Sequence, residues 1–432
     1  MAFALGVVLF VIGIAVTIGL HEAGHMQVAR WCGMRVRRFF IGFGPTVWSF
    51  RRGGTEYGLK AVPVGGFCDI AGMTTLDPVT ADELPDAMYG RPWWQRVCVL
   101  VAGVVVNVLL GLVIVYAVAV VWGLPNPSPD IRPVVGRTTC VPVTLADARA
   151  ASSAAASGGT AGCTGDGPAA ESGVRAGDRF VRIDGRDTPQ FGDVSAAVAA
   201  AAEGHTDVGS TVRVPATVER DGRRTDITLS VLVVERAAAS GASPSTTGAP
   251  GPGGTVTTGA IGVVRATPEN LTLHYNPVTA VGGTASFTGT MVSQTVSGII
   301  SLPARFPGVV ESIFGGQRAT DSPMSVVGAS RAGGELVQHD QWQAFALTLA
   351  SLNFFLAGLN LVPLPPLDGG HAVVVLWERL RDAVRRRRGL PPGGPADYRR
   401  LMPVTYVAAG LLLVFGVTVI IADVVNPVRL FP

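Results

Sequence analysis

The sequence predicts an α-helical polytopic membrane protein: four transmembrane helices, a membrane-associated β-hairpin and one extracytoplasmic domain. Three observations predict it. The 432 residues are 48% hydrophobic and only 15% charged, a balance that favours a bilayer over the cytosol. Four segments, Phe3 to Ala29, Trp94 to Leu124, Trp342 to Leu361 and Val404 to Val425, reach the length of about 20 apolar residues needed to cross a hydrocarbon core of roughly 30 Å. Arginines crowd two connecting loops, Arg35, Arg37, Arg38, Arg51 and Arg52 after the first span and Arg379 to Arg400 after the third. Cytoplasmic loops carry such an excess, so both loops are expected inside, with both termini and the 125–341 region outside. A net charge of +3 is too small to argue for a nucleic-acid partner.

Taken in order, residues 1–124 hold the first two spans. The first span is too long for a cleaved signal peptide, and no small-residue cleavage site follows it. After it comes "GFGPTVWSFRRGGTEYGLKAVPVGGF", residues 42–67, where β-rich stretches flank Gly53-Gly54 and predict a hairpin. Pro63 and the Gly65-Gly66 pair are expected to break its second strand. A hairpin this apolar between two spans is expected to dip into the bilayer against protein, because irregular backbone is tolerated there only when buried. Residues 125–265 alternate as short strands and turns, and "GAIGVVRA" is expected to rejoin their sheet. The Ala/Ser/Gly/Pro-rich run 237–258 is expected to be a flexible linker. Cys140 and Cys163 both fall in this external part, where oxidation is possible, so a disulfide between them is expected. Residues 266–341 predict an amphipathic segment on the membrane surface, broken by Pro303 and Pro307. Residues 342–432 hold the last two spans. The stretch "GASRAGG", 328–334, is no serine nucleophile elbow, since Ala332 occupies the second glycine position.

The chemistry concentrates where the first span ends, in "TIGLHEAGHMQVAR". Ionisable groups inside hydrocarbon are costly unless something compensates. His21 and His25 are four residues apart and share one helix face, so both can reach one metal ion. Glu22, turned about 100° away, can reach a water beside that metal without ligating it. Zinc fits this donor set best; it lowers the pKa of a water towards ~7, and a carboxylate then takes the proton. A catalytic zinc usually takes a third protein ligand. His205, His274 and His339 lie in external, loop-like surroundings; the stronger candidate is Asp368 in "NLVPLPPLDGGHA", where three prolines must unwind the third span. Asp368 stands just before a new helix, which also makes it a candidate N-cap. Nine residues separate His21 from Arg30, roughly 14 Å of helix, so the metal is expected towards the cytoplasmic side. Two other classes accommodate intramembrane ionisable residues: a transporter that carries ions through them, and an inactive membrane scaffold.

HEAGH in the first span, GFGP and PVGGF in the following loop, and NLVPLPPLDGGH in the third resemble the site-2 protease family of intramembrane zinc metalloproteases. Four spans with one external insert are similar to the actinobacterial enzymes of regulated intramembrane proteolysis. The resemblance implies His21, His25 and Asp368 as ligands of one Zn2+ per chain and Glu22 as the catalytic base. It implies Asn360 as a hydrogen-bond donor to substrate backbone, a hairpin at 48–64 that pairs with substrate as an added strand, and Gly65 and Gly66 beside the cleft. "SGVRAGDRFVRIDG", residues 172–185, resembles the core of bacterial PDZ domains, so an extracytoplasmic PDZ-like α+β domain is expected, preferably acting as a size filter. The implied partners are membrane lipids, an upstream site-1-type protease and transmembrane substrates such as single-span anti-sigma factors, in a bacterial inner membrane.

Overall fold

The computed structural model describes residues 1–129, 131–156, 163, 165–237, 255–268, 270–316, 318–319 and 322–431, so most of the expected linker at 237–258 lies outside the described residues. The chain forms two compact units, one of Met1–Leu124 with His274–Pro432 and one of Pro125–Leu273. In chain order the helices are α1 (Ala2–Trp31), α2 (Trp93–Val121), α3 (Leu145–Ala156), α4 (Gly167–Glu171), α5 (Phe191–Ala201), α6 (Thr279–Ile313), α7 (Val326–Gln338), α8 (Trp342–Asn360), α9 (Asp368–Arg387) and α10 (Tyr398–Val425). Of these, α1, α2, α8 and α10 are long and apolar enough to cross a membrane. Such sequences are helical because hydrocarbon offers the backbone no other hydrogen-bond partners.

The glycines of these helices mark close approaches rather than breaks. A methyl group at Gly6 would meet the Gly333 carbonyl at 2.7 Å, and one at Gly333 would meet the Phe10 ring at 2.7 Å. The Gly333-Gly334 end of the "GASRAGG" stretch is therefore a buried seam of α7 against α1, while Gly328 at its start packs on Asp423 of α10. On the other side, Asn353 Nδ2 of α8 donates to Thr17 Oγ1 of α1 at 3.2 Å and to the Leu349 carbonyl at 2.9 Å. The α6 helix runs unbroken through Pro303 and Pro307, contrary to the expected break. Four residues apart, the two prolines share one side of the helix, so the missing donors fall on one face while the opposite face keeps its bonds.

Between α1 and α2, β1 (Val36–Arg52) and β2 (Thr55–Ile70) turn at Gly53 and Gly54, both at positive φ. Their pairing shows more than a simple hairpin. Trp48–Arg52 faces Thr55–Leu59, and the Arg38–Ile41 run lies between Glu56–Leu59 on one side and Gly66–Asp69 on the other. Each strand thus bends, at Gly42 and Gly44 in β1 and at Gly65 in β2, where φ is +92°, +86° and +91°. The second strand bends at the expected place yet continues to Ile70. Arg30, at the end of α1, donates to Tyr57 and Thr55 and fastens the sheet to that helix.

Buried ion pairs hold the remaining helices. Arg96 of α2 meets Glu378 of α9 at 2.6 Å, and the other Glu378 oxygen accepts from the Ala396 amide at 2.6 Å. Arg318 meets Asp423 of α10 at 2.6 Å, and Asp423 also accepts from the Ser325 and Gly328 amides at the start of α7.

The second unit contains β3 (Leu124–Pro125, at its entry), β4 (Val135–Thr138), β5 (Arg179–Ile183), β6 (Arg186–Asp187), β7 (Thr211–Arg220), β8 (Arg223–Ala237), β9 (Thr255–Ala260), β10 (Val263–Arg265) and β11 (Thr272–Leu273). Five of them form an antiparallel sheet in the order β6-β5-β7-β8-β9. Phe180, Ile183, Val218, Leu229 and Val231 from this sheet bury against Val194, Ala197 and Val198 of α5. The expected strand "GAIGVVRA" divides at Ile261-Gly262, its first part ending β9 against β8 and its second pairing with β4. Cys140 and Cys163 are joined in a disulfide with their Cα atoms 5.8 Å apart. Asp178, 1% exposed, is held by both Arg220 donors at 2.8 Å.

Below the sheet of the first unit, the Arg37 guanidinium hydrogen-bonds Glu83 and holds its carboxyl at about 2, below the ordinary 4.5. A depressed carboxyl pKa stabilises the fold above the unfolded value and ceases to do so as pH falls through the folded one. Glu83→Gln is therefore expected to lower the unfolding temperature near pH 6 but to match the wild type near pH 2. Thermal unfolding in detergent at both pH values checks this, and an equal deficit at both would remove the ion pair as its cause.

Candidate metal centre

The helical repeat sets His21 and His25 on one face of α1, both 7% exposed, with their Nε2 atoms 3.2 Å apart. The third group comes from far along the chain. After Asn360 ends α8, the proline-rich stretch 361–367 leaves the helix, and α9 begins at Asp368. Leu367, not Asp368, occupies the cap position, and the Asp368 side chain makes no capping bond. Its Oδ2 lies instead 3.3 Å from His21 Nε2 and 3.4 Å from His25 Nε2. The paired glycines after it make the turn possible: a methyl at Gly369 would meet the Leu361 carbonyl at 2.5 Å, and one at Gly370 would strike the Leu364–Pro365 backbone.

Among the described residues, His21, His25 and Asp368 are the one group whose donor atoms converge in this way. Edges of 3.2, 3.3 and 3.4 Å outline one face of a tetrahedron. Zinc bonds of ~2.0–2.1 Å to nitrogen and oxygen would give edges of ~3.3–3.4 Å, so the donor set and its spacing both fit zinc. The His25 Nδ1–H donates to the Val99 carbonyl at 2.7 Å, which leaves Nε2 with its lone pair towards Asp368.

Helix α2 shapes the pocket. A methyl at Gly24 would meet the Ala102 carbonyl at 2.9 Å, and one at Gly103 would overlap His25 Nε2 and lie 2.7 Å from His21 Nε2. No larger residue at Gly103 leaves room for both imidazoles. Sequence reasoning missed Gly103, Val99 and Asn353; the available signal was only that small and polar residues interrupt apolar helices at interfaces. Asn360 Nδ2 lies 3.5 Å from His21 Nε2. With the Thr17–Asn353 bond this makes two rungs along α1 and α8, so the two helices run in the same direction. Glu22 is half-buried at the sheet: a methyl at Gly66 would stand 3.2 Å from its Cγ, and one at Gly65 would overlap the Phe43 ring. The structure thus brings Glu22, Gly66 and Asn360 to the margin of the His–His–Asp triangle.

A largely buried donor triangle that fits zinc, with a second carboxylate beside it among apolar helices, defines a membrane-embedded metallohydrolase. The model of peptidase family M50 matches residues 9–390. The zinc metalloprotease Rip1 of Mycolicibacterium smegmatis is 42% identical over 438 residues, covering all of both chains, and that of Mycobacterium tuberculosis is 43% identical over 435 residues with the same coverage. A putative zinc metalloprotease of Mesorhizobium japonicum is 29% identical over 94% of each chain. The chain belongs to peptidase family M50, the site-2 proteases. It is a membrane metalloprotease with zinc as its cofactor.

Gly103→Ala is expected to lower zinc affinity by about 10–100-fold, the usual cost of disturbing the groups around metal ligands. Metal analysis after dialysis against a chelator measures it, alongside far-UV circular dichroism to confirm that the helices persist. Unchanged zinc retention would show that α2 does not back the imidazoles.

Proposed function

We propose that the chain hydrolyses peptide bonds within or beside transmembrane segments of other membrane proteins, with zinc held by His21, His25 and Asp368 and Glu22 acting as base. The observation that supports this most is the 3.2–3.4 Å convergence of the three donors, Asp368 having no cap role and no ionic partner among the described residues other than the two histidines. Bound there, zinc supplies Lewis-acid polarisation of the scissile carbonyl and makes an attacking water more acidic. The Glu22 carboxylate accepts that water's proton and returns it to the leaving amide nitrogen. Asn360 Nδ2 donates to the substrate backbone at the cleavage point.

A peptide bond inside a helix is sealed, so the substrate must unwind and find other hydrogen bonds. The Gly66–Asp69 run pairs with β1 on one side, and no second strand pairs with it among the described residues. It runs beside Glu22, and we assign it and the hairpin around 48–64 as the edge on which substrate is added as a strand. Gly66 lets that run pass close to Glu22, and Gly65 leaves the space that the Phe43 ring fills.

The arginine-rich loops support an orientation with the metal towards the cytoplasmic side and with both termini and the second unit outside. On the resemblance of residues 172–185 we assign the second unit as a PDZ-like domain that restrains bulky substrates. Anti-sigma factors of a single span, first shortened outside by a site-1-type protease, have the form such a filter would admit.

Glu22→Gln is expected to abolish cleavage of a co-expressed single-span substrate while retaining one zinc per chain, whereas Asp368→Ala is expected to lose both. Fragment analysis by immunoblot and metal analysis on the same membranes separate the two. Persistent cleavage by Glu22→Gln would sink the assignment of the base, and persistent stoichiometric zinc in Asp368→Ala that of the ligand. Asn360→Ala is expected to lower kcat by about 10²–10³-fold, as the loss of one preorganised donor does, with zinc content unchanged. Reconstituted proteolysis reads that loss, and a fall in zinc content instead would make Asn360 a support of the metal site.

A further inference from the structure

Helix α9 carries two opposed faces. Its inner face presents Val374, Val375 and Glu378, all buried, towards Arg96 of α2 and towards Ala396 and Tyr398. Its outer face presents Val373, Leu376, Trp377, Leu380 and Val384, spaced so that they form one stripe, and every one of them is exposed, Trp377 at 52% and Leu380 at 64%. A soluble protein does not leave a stripe of this kind uncovered without a reason.

The charge beside the stripe identifies what covers it. Residues 373–400 contain eight arginines (379, 381, 385, 386, 387, 388, 399 and 400) against Glu378, Asp382 and Asp397, a net +5. Several are occupied: Arg381 bonds Asp382 and Gly394, Arg385 bonds the Pro391 carbonyl, and Arg400 pairs with Asp397 at 3.5 Å. Arg386, Arg387, Arg388 and Arg399 are exposed, and their guanidinium groups have no acceptor among the described residues. The depth is indicated as well. Arg379 lies over the ring of Trp93 at 5.8 Å and Arg381 over that of Trp377 at 5.1 Å. Trp93 and Trp94, which begin the apolar helix α2, are 40% and 51% exposed. Tryptophans at the end of a span sit at the headgroup level, so α9 lies at that level too. Its two ends connect α8 and α10, both long enough to cross a bilayer, so α9 cannot leave the surface.

We propose that α9 is an interfacial docking surface for anionic phospholipid. The stripe from Val373 to Val384 enters the acyl boundary, and Arg386, Arg387, Arg388 and Arg399 pair with lipid phosphates. The same helix begins with Asp368, so lipid docking fixes the outer face of the element that presents the carboxylate, while the Arg96–Glu378 pair fixes the inner one. The surface stands on the membrane-spanning helices alone and needs no catalytic role for Asp368.

The test uses the full chain in nanodiscs of phosphatidylcholine, with and without phosphatidylglycerol, and reads amide hydrogen exchange across 373–388. Protection is expected to rise by about tenfold or more with phosphatidylglycerol, given the attraction of several arginines to an anionic surface. The combined Arg386→Gln, Arg387→Gln and Arg388→Gln variant is expected to lose that rise while keeping its zinc. Trp377→Ser with Leu380→Ser is expected to lose protection in both lipids. Equal protection in the two lipids, or the same protection from soluble glycerol phosphate in phosphatidylcholine discs, would overturn the proposal. A lipid-dependent rise without any cleavage would uphold it and count instead against the protease assignment of residues.

Discussion

Three lone-pair donors held within 3.4 Å of each other, two on the apolar helix α1 and one at the start of α9, are the constraint on which the rest of the first unit depends. Unaided, two facing imidazole nitrogens and a carboxylate gain little from such proximity, and their removal from water is unfavourable. A cation at their centre reverses the sign of the arrangement, because each donor then faces a positive charge rather than another lone pair. That reversal explains features that otherwise look like concessions. Gly24 and Gly103 give up side-chain packing so that α2 approaches α1 closely enough to seat the rings, and the Val99 carbonyl fixes one ring by its outer nitrogen. Gly369 and Gly370 do the same for the chain that turns from α8 into α9.

The carboxylate is the member of the set that needs most support, since it reaches the histidines from an element far away in sequence. Its helix is fixed at two heights. Near the start, the glycine turn presses the unwound stretch onto the first turn of α9. Further along, Glu378 is buried against Arg96, and a buried pair of this kind is strongly unfavourable to break because either partner alone would be an uncompensated charge. This pair contributes less to net stability than to position: it allows α9 one rotation about its axis. With Glu378 inward, the apolar stripe must point outward.

Much of this was legible in the sequence, and the reason differs by residue. His21, Glu22 and His25 could be read because helical spacing is local and an apolar span makes idle charges expensive. Asp368 could be read because three prolines announce an unwound segment in a run that should otherwise be a span. Gly103 could not, since a glycine among valines fits many helix contacts, and only the tertiary approach of α1 singles it out. The hairpin was legible as a turn at Gly53-Gly54, but not as a sheet in which one run of β1 is flanked twice, because bends at Gly42, Gly44 and Gly65 depend on which strand lies alongside. Pro303 and Pro307 predicted a break that did not occur; their common face leaves the rest of α6 hydrogen-bonded.

Placement of Asp368 in the first turn of a helix, after unwound chain, has a chemical consequence beyond ligation. Had all three donors come from continuous helices, the metal would be walled by closed backbones on every side. Here one wall is the irregular stretch between Asn360 and Asp368, and beside Glu22 runs Gly66 to Asp69, a sheet edge that no second strand pairs with among the described residues. The sheet edge still offers hydrogen-bonding groups to an incoming chain. The 361–367 stretch offers carbonyls alone, its four non-proline amides being bonded within it or to the end of α8. Glu22 lies beside the sheet edge. An extended peptide is therefore the ligand form that the margins of the site can satisfy, whereas an intact helix presents no free backbone donors or acceptors to either wall. The same geometry that brings Asp368 to the two histidines leaves a margin suited to an unwound peptide.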